Sequence, residues 1–310
     1  MDKQVLIALD KVNSEVDRLL STSALVVRKF TSHLRGAKGK GIRALSVIVS
    51  ALDENNDISD DAIRFAAAIE IFHLATLVHD DVMDDADSRR GIPTLHKLYG
   101  HKTAVITGDY LLALAMSYLN GIEDKNKYID FNFSDILLDV AVGELNQHIN
   151  NGNLNLSIKD YLEIIRGKTA KLFEASFYAG AITSVNDQVE IEKYKKLGDL
   201  VGMMFQINDD CIDFEFNEDE ALKPVQSDFE QGVMTLPLLY SFEKDPESKN
   251  KNLDRSMINK LVKKFDGVGF AKRKSSKYYQ ESLDIIESLT LSELKYNCLI
   301  EVVKKAHNTI

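Results

Sequence analysis

Mostly apolar side chains recur at the spacing of an α-helix over a long stretch in the first third of the chain. Four of them share one helical face: Phe65, Ile69, Phe72 and Thr76. Ser59 followed by Asp60 and Asp61 is typical of a helix start, because a hydroxyl caps backbone N–H groups and acidic side chains suit the helix dipole. The pattern predicts a buried helix that begins near Ser59 and ends at Asp80 to Asp84.

A second stretch, from residue 189 to residue 216, repeats this pattern. Six of its side chains form one helical stripe: Tyr194, Leu197, Val201, Phe205, Asn208 and Ile212. Gly198 and Gly202 lie four residues apart, where they would let a neighbouring helix approach closely. The spacing predicts a helix over Val189 to Phe216 whose C-terminal part carries a group of aspartates.

Strand signals are weak elsewhere, since alternating runs are few and no Asn-Gly or Asp-Gly pair joins two of them. A loop is indicated at residues 91–93, and another helical pattern follows from Thr103 to Leu119. Val233 to Tyr240 fits a strand, but a helix that starts near Pro237 fits equally well. Beyond Lys244 the polar composition predicts loops and surface helices. The predicted fold class is therefore all-α.

The composition favours one large helical unit. The chain has 310 residues with four Pro and sixteen Gly, and no stretch rich in Pro, Gly or Ser separates two halves. Because 45% of the residues are apolar, they suffice for one substantial core. We expect residues 1–310 to form a single domain.

Charge and cysteine content narrow the class of protein. A formal net charge of −10 argues against nucleic acid as a partner, because binding to a phosphate backbone needs a basic surface. Cys211 and Cys298 are the only cysteines, which argues against a disulfide framework and favours a reducing compartment. The charged N-terminal segment lacks the apolar region of a signal peptide, and no apolar run approaches the roughly 20 residues of a membrane span. We expect a soluble cytoplasmic protein with no integral membrane segment.

Two aspartate clusters with the same spacing lie at the polar ends of two predicted helices. The first contains Asp80, Asp81 and Asp84, and the second contains Asp209, Asp210 and Asp213. At this spacing the carboxylates crowd one end of one helix face, where their mutual repulsion favours a hard divalent cation such as Mg²⁺. One such cluster is usually a solvated helix end, but the pair predicts two metal sites that hold a polyphosphate.

An anionic substrate also needs fixed cations beside its metal ions. Candidates occur in three places along the chain: Lys40 with Arg43, Arg89 with Arg90, and Lys168 beside Thr169. Each taken singly is most simply a solvated surface charge, which is the usual state of Lys and Arg. A role in diphosphate binding is expected only because a diphosphate needs Arg forks and Lys charges beside its metal ions.

The histidines give weaker signals. His73 lies two helical turns before Asp80 on about the same side, so a hydrogen bond to diphosphate and a core position are about equally expected. His79, His96 and His101 are interpreted as structural. Zinc is disfavoured because no paired Cys and His ligand spacing occurs.

These residues lie in motifs that resemble those of the trans-isoprenyl diphosphate synthases, also called polyprenyl synthetases. The matching segments keep the order of that family: residues 73–81 (HLATLVHDD), 80–94 (DDVMDDADSRRGIPT), 108–111 (GDYL), 143–147 (GELNQ), 167–173 (GKTAKLF), 205–213 (FQINDDCID) and 223–237. The resemblance spans roughly residues 35 to 240. Three positions depart from the family pattern: Gly41 replaces Arg, Ala44 replaces Pro and Val233 replaces Lys.

The resemblance implies an all-α isoprenoid-synthase domain, a single large helical bundle around a deep central cavity with both aspartate clusters across its mouth. It implies Mg²⁺ as cofactor, three ions with bound diphosphate, held by the six aspartates, which with Lys168 are the catalytic residues. The residues that match the contacts to an allylic prenyl diphosphate are Arg89, Lys168, Thr169, Gln206 and Lys223. Those that match the contacts to isopentenyl diphosphate are Lys40, Arg43, His73 and Arg90.

The implied reaction starts when the bond between the allylic carbon and its diphosphate oxygen breaks, and cations stabilise the charge on the leaving diphosphate. The double bond of isopentenyl diphosphate attacks the allylic cation, and a proton is then lost. In this family, side chains one or two turns before the first aspartate form the floor under the hydrocarbon tail. Here they are Phe72, Ala75 and Thr76. Because Ala75 and Thr76 do not block the tail, we predict an all-trans product of geranylgeranyl length or longer, with a medium or long chain favoured.

Other functions fit parts of the sequence. A class I terpene cyclase also ionises a prenyl diphosphate, but the repeated Asp pattern and the second set of cations argue against it. A catalytic subunit of a heteromeric synthase is the alternative that the sequence leaves open, whereas a non-catalytic subunit would tend to lose the aspartates. A helical interaction protein would explain neither cluster. We expect a homodimer or, alternatively, a hetero-oligomer.

Overall fold

The protein is described by a computed structural model that covers residues 1–36, 39–122, 128, 131–215, 229, 231–250 and 253–308. Within these ranges almost all of the regular secondary structure is helical, which confirms the predicted fold class. The α-helices are α1 (Lys3–Ser21), α2 (Leu25–Leu34), α3 (Ile42–Ser50), α4 (Asp60–Met83), α5 (Leu95–Tyr99), α6 (His101–Leu119), α7 (Phe133–Ile149), α8 (Ile158–Ile165), α9 (Lys171–Ser184), α10 (Gln188–Glu215), α11 (Leu236–Lys244), α12 (Arg255–Lys264), α13 (Gly267–Glu287) and α14 (Glu293–His307).

Two short helical turns and two short strands accompany the α-helices in the described residues. A π-helical turn, Arg166–Ala170, connects α8 to α9, and a 3₁₀ turn, Pro246–Asn250, follows α11. Strands β1 (Ser88–Arg89) and β2 (Ile92–Pro93) form an antiparallel hairpin in which Ser88 pairs with Pro93 and Arg89 pairs with Ile92. The loop predicted at residues 91–93 is thus one side of a small hairpin.

The chain divides into two compact units. Unit 1 contains Met1–Ser134, Ser176–Tyr194 and Thr290–Leu299. Unit 2 contains Asp135–Ala175, Lys195–Leu289 and Ile300–Ile310. The first aspartate cluster therefore belongs to unit 1 and the second belongs to unit 2.

Helix α4 is the central helix of unit 1 and packs on α1, α3 and α6. The Ser59 side chain caps it by accepting a hydrogen bond from the backbone N–H of Ala62, as its sequence predicts. Phe65 and Phe72 are almost fully buried on this helix. By length and composition α4 could cross a membrane, but most of its apolar stretch is buried inside the protein, as in the core helix of a globular unit.

In unit 2, the backbone of α10 packs closely on a neighbouring segment at Gly198 and Gly202, as the sequence predicts. A Cβ atom on Gly198 would lie 2.6 Å from the Cα atom of Glu174, and one on Gly202 would lie 2.5 Å from the Cα atom of Ala170. Only glycine allows this separation. Pro237 lies in the first turn of α11, so the helical alternative for Val233 to Tyr240 is correct from residue 236 onward.

The C-terminal part of the chain is more buried than its composition predicts. Helix α14 buries five apolar side chains: Cys298, Leu299, Val302, Val303 and Ala306. The expectation of surface helices beyond Lys244 is therefore wrong for α14. Exposed charged residues such as Glu293, Lys304 and Lys305 hide the apolar stripe of this helix in its average composition.

Candidate functional site

The first aspartate cluster lies at the C-terminal end of α4. Asp80 and Asp81 are in its last turn, and Asp84 is its C-cap, with a backbone N–H that donates to the Asp80 carbonyl at 2.8 Å. Asp81 is buried, and the Nε atom of Arg89 donates to it at 2.5 Å. Burial raises the pKa of Asp81, while the bond to Arg89 opposes this shift. Asp80 is partly exposed and Asp84 is exposed, so the cluster presents oxygen atoms to solvent.

The β1–β2 hairpin carries the two arginines that follow this cluster. Arg89 is in β1, and Arg90 is in the turn with a φ of 52°. The hydroxyl of Thr94 donates to the carbonyl of Ala86 at 2.7 Å, and the N–H of Thr94 donates to the carbonyl of Asp87 at 3.1 Å. These two hydrogen bonds join the two ends of the hairpin, and the hairpin carries the guanidinium groups of Arg89 and Arg90.

Unit 1 also brings together the residues expected to bind isopentenyl diphosphate. The Nη1 atom of Arg43 lies 3.1 Å from the Nε2 atom of His73. Because a guanidinium only donates hydrogen bonds, Nε2 accepts and the ring proton is on Nδ1. Burial and the arginines Arg43, Arg90 and Arg89 hold the pKa of His73 well below its ordinary value, so the ring is neutral. The guanidinium of Arg90 packs against Gly39, next to Lys40.

Gly41 stands where the family usually has Arg. Gly41 is the N-cap of α3 and has a φ of 59°, a left-handed conformation that favours glycine. Glu70 stabilises the first turn of α3, because its carboxylate accepts a hydrogen bond from the Ala44 N–H at 3.0 Å. Burial raises the pKa of Glu70, and Arg43 and Arg90 oppose this shift. The sequence did not identify Glu70, because it is one more polar residue in an apolar helix.

The second aspartate cluster lies in the last two turns of α10, in unit 2. Asp210 is buried, and its two oxygen atoms accept hydrogen bonds from the Tyr161 hydroxyl at 2.5 Å and from the Gln206 Nε2 atom at 2.7 Å. Burial raises the pKa of Asp210 to about 7, although both donors oppose this shift. Asp209 and Asp213 are partly exposed.

The π-helical turn positions Lys168 and Thr169 in the same unit. Thr169 donates from its hydroxyl to the Gln206 Oε1 atom at 2.7 Å, which extends the hydrogen-bonded chain from Asp210. The ammonium group of Lys168 lies 2.9 Å from a carboxylate oxygen of Glu144. Gly143 of α7 packs so closely on this turn that a Cβ atom there would overlap the backbone of Lys168. Such π-turns are frequent at functional sites.

A cavity of about 290 Å³ lies beside the second cluster in unit 2. Its walls include Asp213, Val233, Thr235 and Arg255. Val233, which replaces a Lys common in the family, therefore faces a space next to an aspartate of the cluster. With Val instead of Lys at this position, the cavity wall has one positive charge fewer.

The three residues expected to form the chain-length floor differ in exposure. Phe72 and Ala75 are buried, and the ring of Phe72 contacts that of Phe133 edge-on, with 5.5 Å between centroids. Thr76 is partly exposed, and its hydroxyl donates to the carbonyl of His73 at 2.8 Å. Thr76 lies four residues before Asp80 and therefore on the same helix face.

Each unit thus assembles its own part of the expected site. Lys223 lies outside the described residues, and the juxtaposition of the two clusters stays a prediction. Glu70, Tyr161 and Glu144 are the partners that sequence reasoning missed. The GELNQ motif contains Glu144, so its match to the family was the one available signal for that residue.

Comparison with known proteins extends over nearly the whole chain. A family profile described as Polyprenyl synthetase matches residues 25–265. Heptaprenyl diphosphate synthase component 2 of Bacillus subtilis is 33% identical over 291 residues, which cover 91% of this chain and 82% of that protein. Geranylgeranyl diphosphate synthase of Saccharolobus solfataricus is 33% identical over 264 residues, 83% of this chain and 79% of that protein. The crystal structure of heptaprenyl diphosphate synthase from Staphylococcus aureus matches with a TM-score of 0.89 and 34% identity over 98% of each chain.

Proposed function

Because the chain belongs to the polyprenyl synthetase family, we propose that it is a Mg²⁺-dependent trans-prenyltransferase. It condenses isopentenyl diphosphate with an allylic prenyl diphosphate and produces an all-trans polyprenyl diphosphate of geranylgeranyl length or longer. The observation that carries this proposal is the pair of aspartate clusters with identical spacing, each at the end of a helix and each anchored by a hydrogen-bonded, buried aspartate.

The donor set fits a hard dication, since the candidate ligands are all carboxylates and oxygen is the ligand type that Mg²⁺ prefers. The residues that would hold the metal are Asp80, Asp81, Asp84, Asp209, Asp210 and Asp213. When bound, Mg²⁺ neutralises negative charge on the leaving diphosphate. We assign three ions to the complex with bound diphosphate.

The allylic diphosphate is bound by Arg89, Lys168, Thr169, Gln206 and Lys223. Arg89 offers a planar fork of donors, and Lys168 offers a compact charge. Glu144 holds Lys168 at 2.9 Å and keeps the ammonium group in place before the diphosphate arrives. The bond from Thr169 fixes the orientation of the Gln206 amide, so its NH₂ group donates toward anions. These donors stabilise charge that develops as the C–O bond breaks.

Isopentenyl diphosphate is bound in unit 1 by Lys40, Arg43, His73 and Arg90. The contact between Arg43 and His73 fixes the direction of the guanidinium. Because His73 is neutral with its proton on Nδ1, it adds no charge and can donate one hydrogen bond to a diphosphate oxygen.

The reaction needs no nucleophilic side chain. The electron pair of the breaking C–O bond leaves with the diphosphate, and the isopentenyl double bond forms the new C–C bond to the allylic cation. The proton adjacent to the new cation leaves with the departed diphosphate, which restores a double bond. Buried apolar side chains exclude water, which would otherwise capture the cation.

Product length follows from the floor on α4. Thr76 and Ala75 are small, so the first bulky side chain below Asp80 is Phe72. Since one isoprene unit is about as long as one helical turn, roughly 5 Å, the tail extends beyond the farnesyl length. Two relatives that are each 33% identical to this chain are named for products of different length, heptaprenyl and geranylgeranyl diphosphate. Sequence identity therefore does not select a product length for this chain, and we base the proposal on the floor residues.

An exposed apolar stripe supports self-association. On α7, the side chains of Leu138, Val142, Leu145 and Ile149 are all more than half exposed and lie at helical spacing. Because the same stripe on a second copy would cover these four apolar side chains, we propose a homodimer. A second, different subunit is the alternative, and the name "component 2" of the Bacillus subtilis relative favours testing it.

We place the enzyme in the cytoplasm. The apolar helix α4 is a core helix of unit 1, and both cysteines are buried. Neither feature requires a membrane or an oxidising compartment.

The test is incubation of the purified chain with labelled isopentenyl diphosphate, Mg²⁺ and allylic primers of graded length. We expect Mg²⁺-dependent elongation, with chromatography giving the product length. Asp210→Asn should abolish it, whereas Asp135→Asn, an exposed aspartate of the same unit, should not. Hydrocarbon release from farnesyl diphosphate alone would indicate a cyclase, activity only with an added subunit would indicate a heteromeric synthase, and no turnover in any arm would refute the proposal.

A further inference from the structure

Three potential metal ligands converge just beyond the first aspartate cluster, in unit 1. They are Asp85, which follows the C-cap of α4, His96 of α5 and His101, the first residue of α6. One ligand atom from each lies within 4.8 Å of the others. The Nε2 atoms of His96 and His101 lie 3.2 Å and 3.9 Å from the Asp85 Oδ1 atom. The sequence spacing gave no sign of this cluster, because the hairpin brings the three segments together.

His96 is the informative member because its ring is fully buried. Its Nδ1 atom lies 3.1 Å from the Thr94 hydroxyl oxygen, and that hydroxyl gives its one hydrogen to the Ala86 carbonyl. Thr94 must therefore accept from Nδ1–H, which places a lone pair on Nε2 in the neutral ring. Nε2 makes no hydrogen bond despite its short distance to Asp85.

A buried lone pair that faces a carboxylate is unfavourable unless a cation lies between them, either a proton on Nε2 or a metal ion. The second imidazole, that of His101, within reach of the same carboxylate favours the metal ion. The bond from Nδ1–H to Thr94 is the outer-shell contact that a metal-bound imidazole typically makes. Two imidazole nitrogens and one carboxylate suit a divalent transition metal, whereas Mg²⁺ prefers oxygen alone.

We propose that Asp85, His96 and His101 form a site for a divalent transition metal such as Zn²⁺, separate from the two aspartate clusters. The ion joins the end of α4, α5 and the start of α6, and it closes the segment that contains the β1–β2 hairpin. It would therefore restrain the hairpin that carries Arg89 and Arg90. The site goes beyond the proposed function and does not depend on it.

Lys97 is the competing cation. Its ammonium group lies 2.9 Å from the Asp85 Oδ1 atom and 3.1 Å from the Asp87 Oδ1 atom. A metal ion must displace it from Asp85 or share that oxygen with it. Removal of the Lys97 charge should therefore tighten metal binding.

The test is calorimetric titration of Zn²⁺ into metal-stripped, full-length protein in excess Mg²⁺, which competes with Zn²⁺ for sites made of carboxylates alone. We expect one Zn²⁺ per chain. His101→Ala should weaken binding at least about tenfold, since loss of even an outer-shell partner costs that much. His101 is exposed, so this variant should fold. His148→Ala, an exposed histidine of α7, is the matched control and should bind Zn²⁺ normally.

Lys97→Met supplies the second arm, with tighter Zn²⁺ binding expected. The proposal is wrong if the unaltered protein binds no Zn²⁺ in excess Mg²⁺, or if His101→Ala binds it with unchanged affinity. Unchanged or weaker binding by Lys97→Met would likewise contradict the role of Asp85 as a ligand. Circular dichroism of each variant distinguishes loss of the site from loss of the fold.

Discussion

Asp210 has the most strongly altered environment among the aspartates of the two clusters. Its pKa in the folded protein is about 7, above the ordinary value of 3.8, because burial disfavours the carboxylate. Folding therefore favours the protonated form, and the stabilisation is complete below pH 4 and is lost as the pH rises to about 7. Since one pKa unit corresponds to about 1.4 kcal/mol, the free energy of unfolding should fall by a few kcal/mol over this range.

The first prediction concerns this titration in metal-stripped protein. Thermal unfolding between pH 4 and pH 8 should show falling stability for the unaltered chain and a flatter profile for Asp210→Asn. Mg²⁺ should stabilise the unaltered protein more at pH 8 than at pH 6, because the ion binds the ionised carboxylate. A pH profile of Asp210→Asn that equals that of the unaltered chain would contradict the assignment, and Asp135→Asn is the exposed control.

Arg43 supports a second prediction at the residue scale. Its Nη1 atom is directed by His73, so the guanidinium presents a fork that Lys cannot reproduce. Arg43→Lys should raise the KM for isopentenyl diphosphate roughly tenfold, about 1.4 kcal/mol, with a much smaller change in the KM for the allylic primer. Steady-state kinetics with each substrate varied would measure this, and Arg35→Lys on the surface should change neither constant. Equal changes in both constants would argue against separate diphosphate sites.

Helix α4 carries both the first aspartate cluster and the residues proposed to limit the length of the product. Thr76 lies on the face of Asp80 and is partly exposed, whereas Ala75 and Phe72 are buried. We predict that Thr76→Phe shortens the product and that Phe72→Ala lengthens it, since the ring against Phe133 is removed. Ala75→Phe should shorten it too, but with a loss of stability because a buried Ala has no room for a ring. Chromatography of the products measures their chain length. An unchanged product length in Thr76→Phe would show that this residue does not form the floor under the hydrocarbon tail.

The elements also show what could be predicted from the sequence. The ends of α4 and α10 agree with prediction to within about a residue, because α4 combines a capping serine with a long apolar stretch and α10 carries an apolar stripe without a helix breaker. The bonds from Tyr161 to Asp210 and from Lys168 to Glu144 could not be derived, because such partners are distant in sequence and leave no local pattern. The burial of α14 was missed because its average composition is polar.

At the scale of the whole molecule, the α7 stripe predicts association. Leu145→Lys should convert the proposed homodimer to a monomer at micromolar concentration, because a charge in an apolar interface must be desolvated. Val189→Lys replaces an apolar residue on α10 that is also more than half exposed, and it is the matched control. Sedimentation or light scattering gives the mass. A dimer that survives Leu145→Lys, or a chain that is monomeric without substitution, would show that this stripe does not join two copies.

In the proposed function, both aspartate clusters hold Mg²⁺ for one diphosphate. The most direct test is a crystal structure with Mg²⁺, isopentenyl diphosphate and an unreactive thio analogue of the allylic substrate. We predict ions that contact the same diphosphate and carboxylates of both clusters, with Asp80 and Asp209 on opposite sides of it. Ions confined to one cluster, or a diphosphate bound without them, would contradict the account.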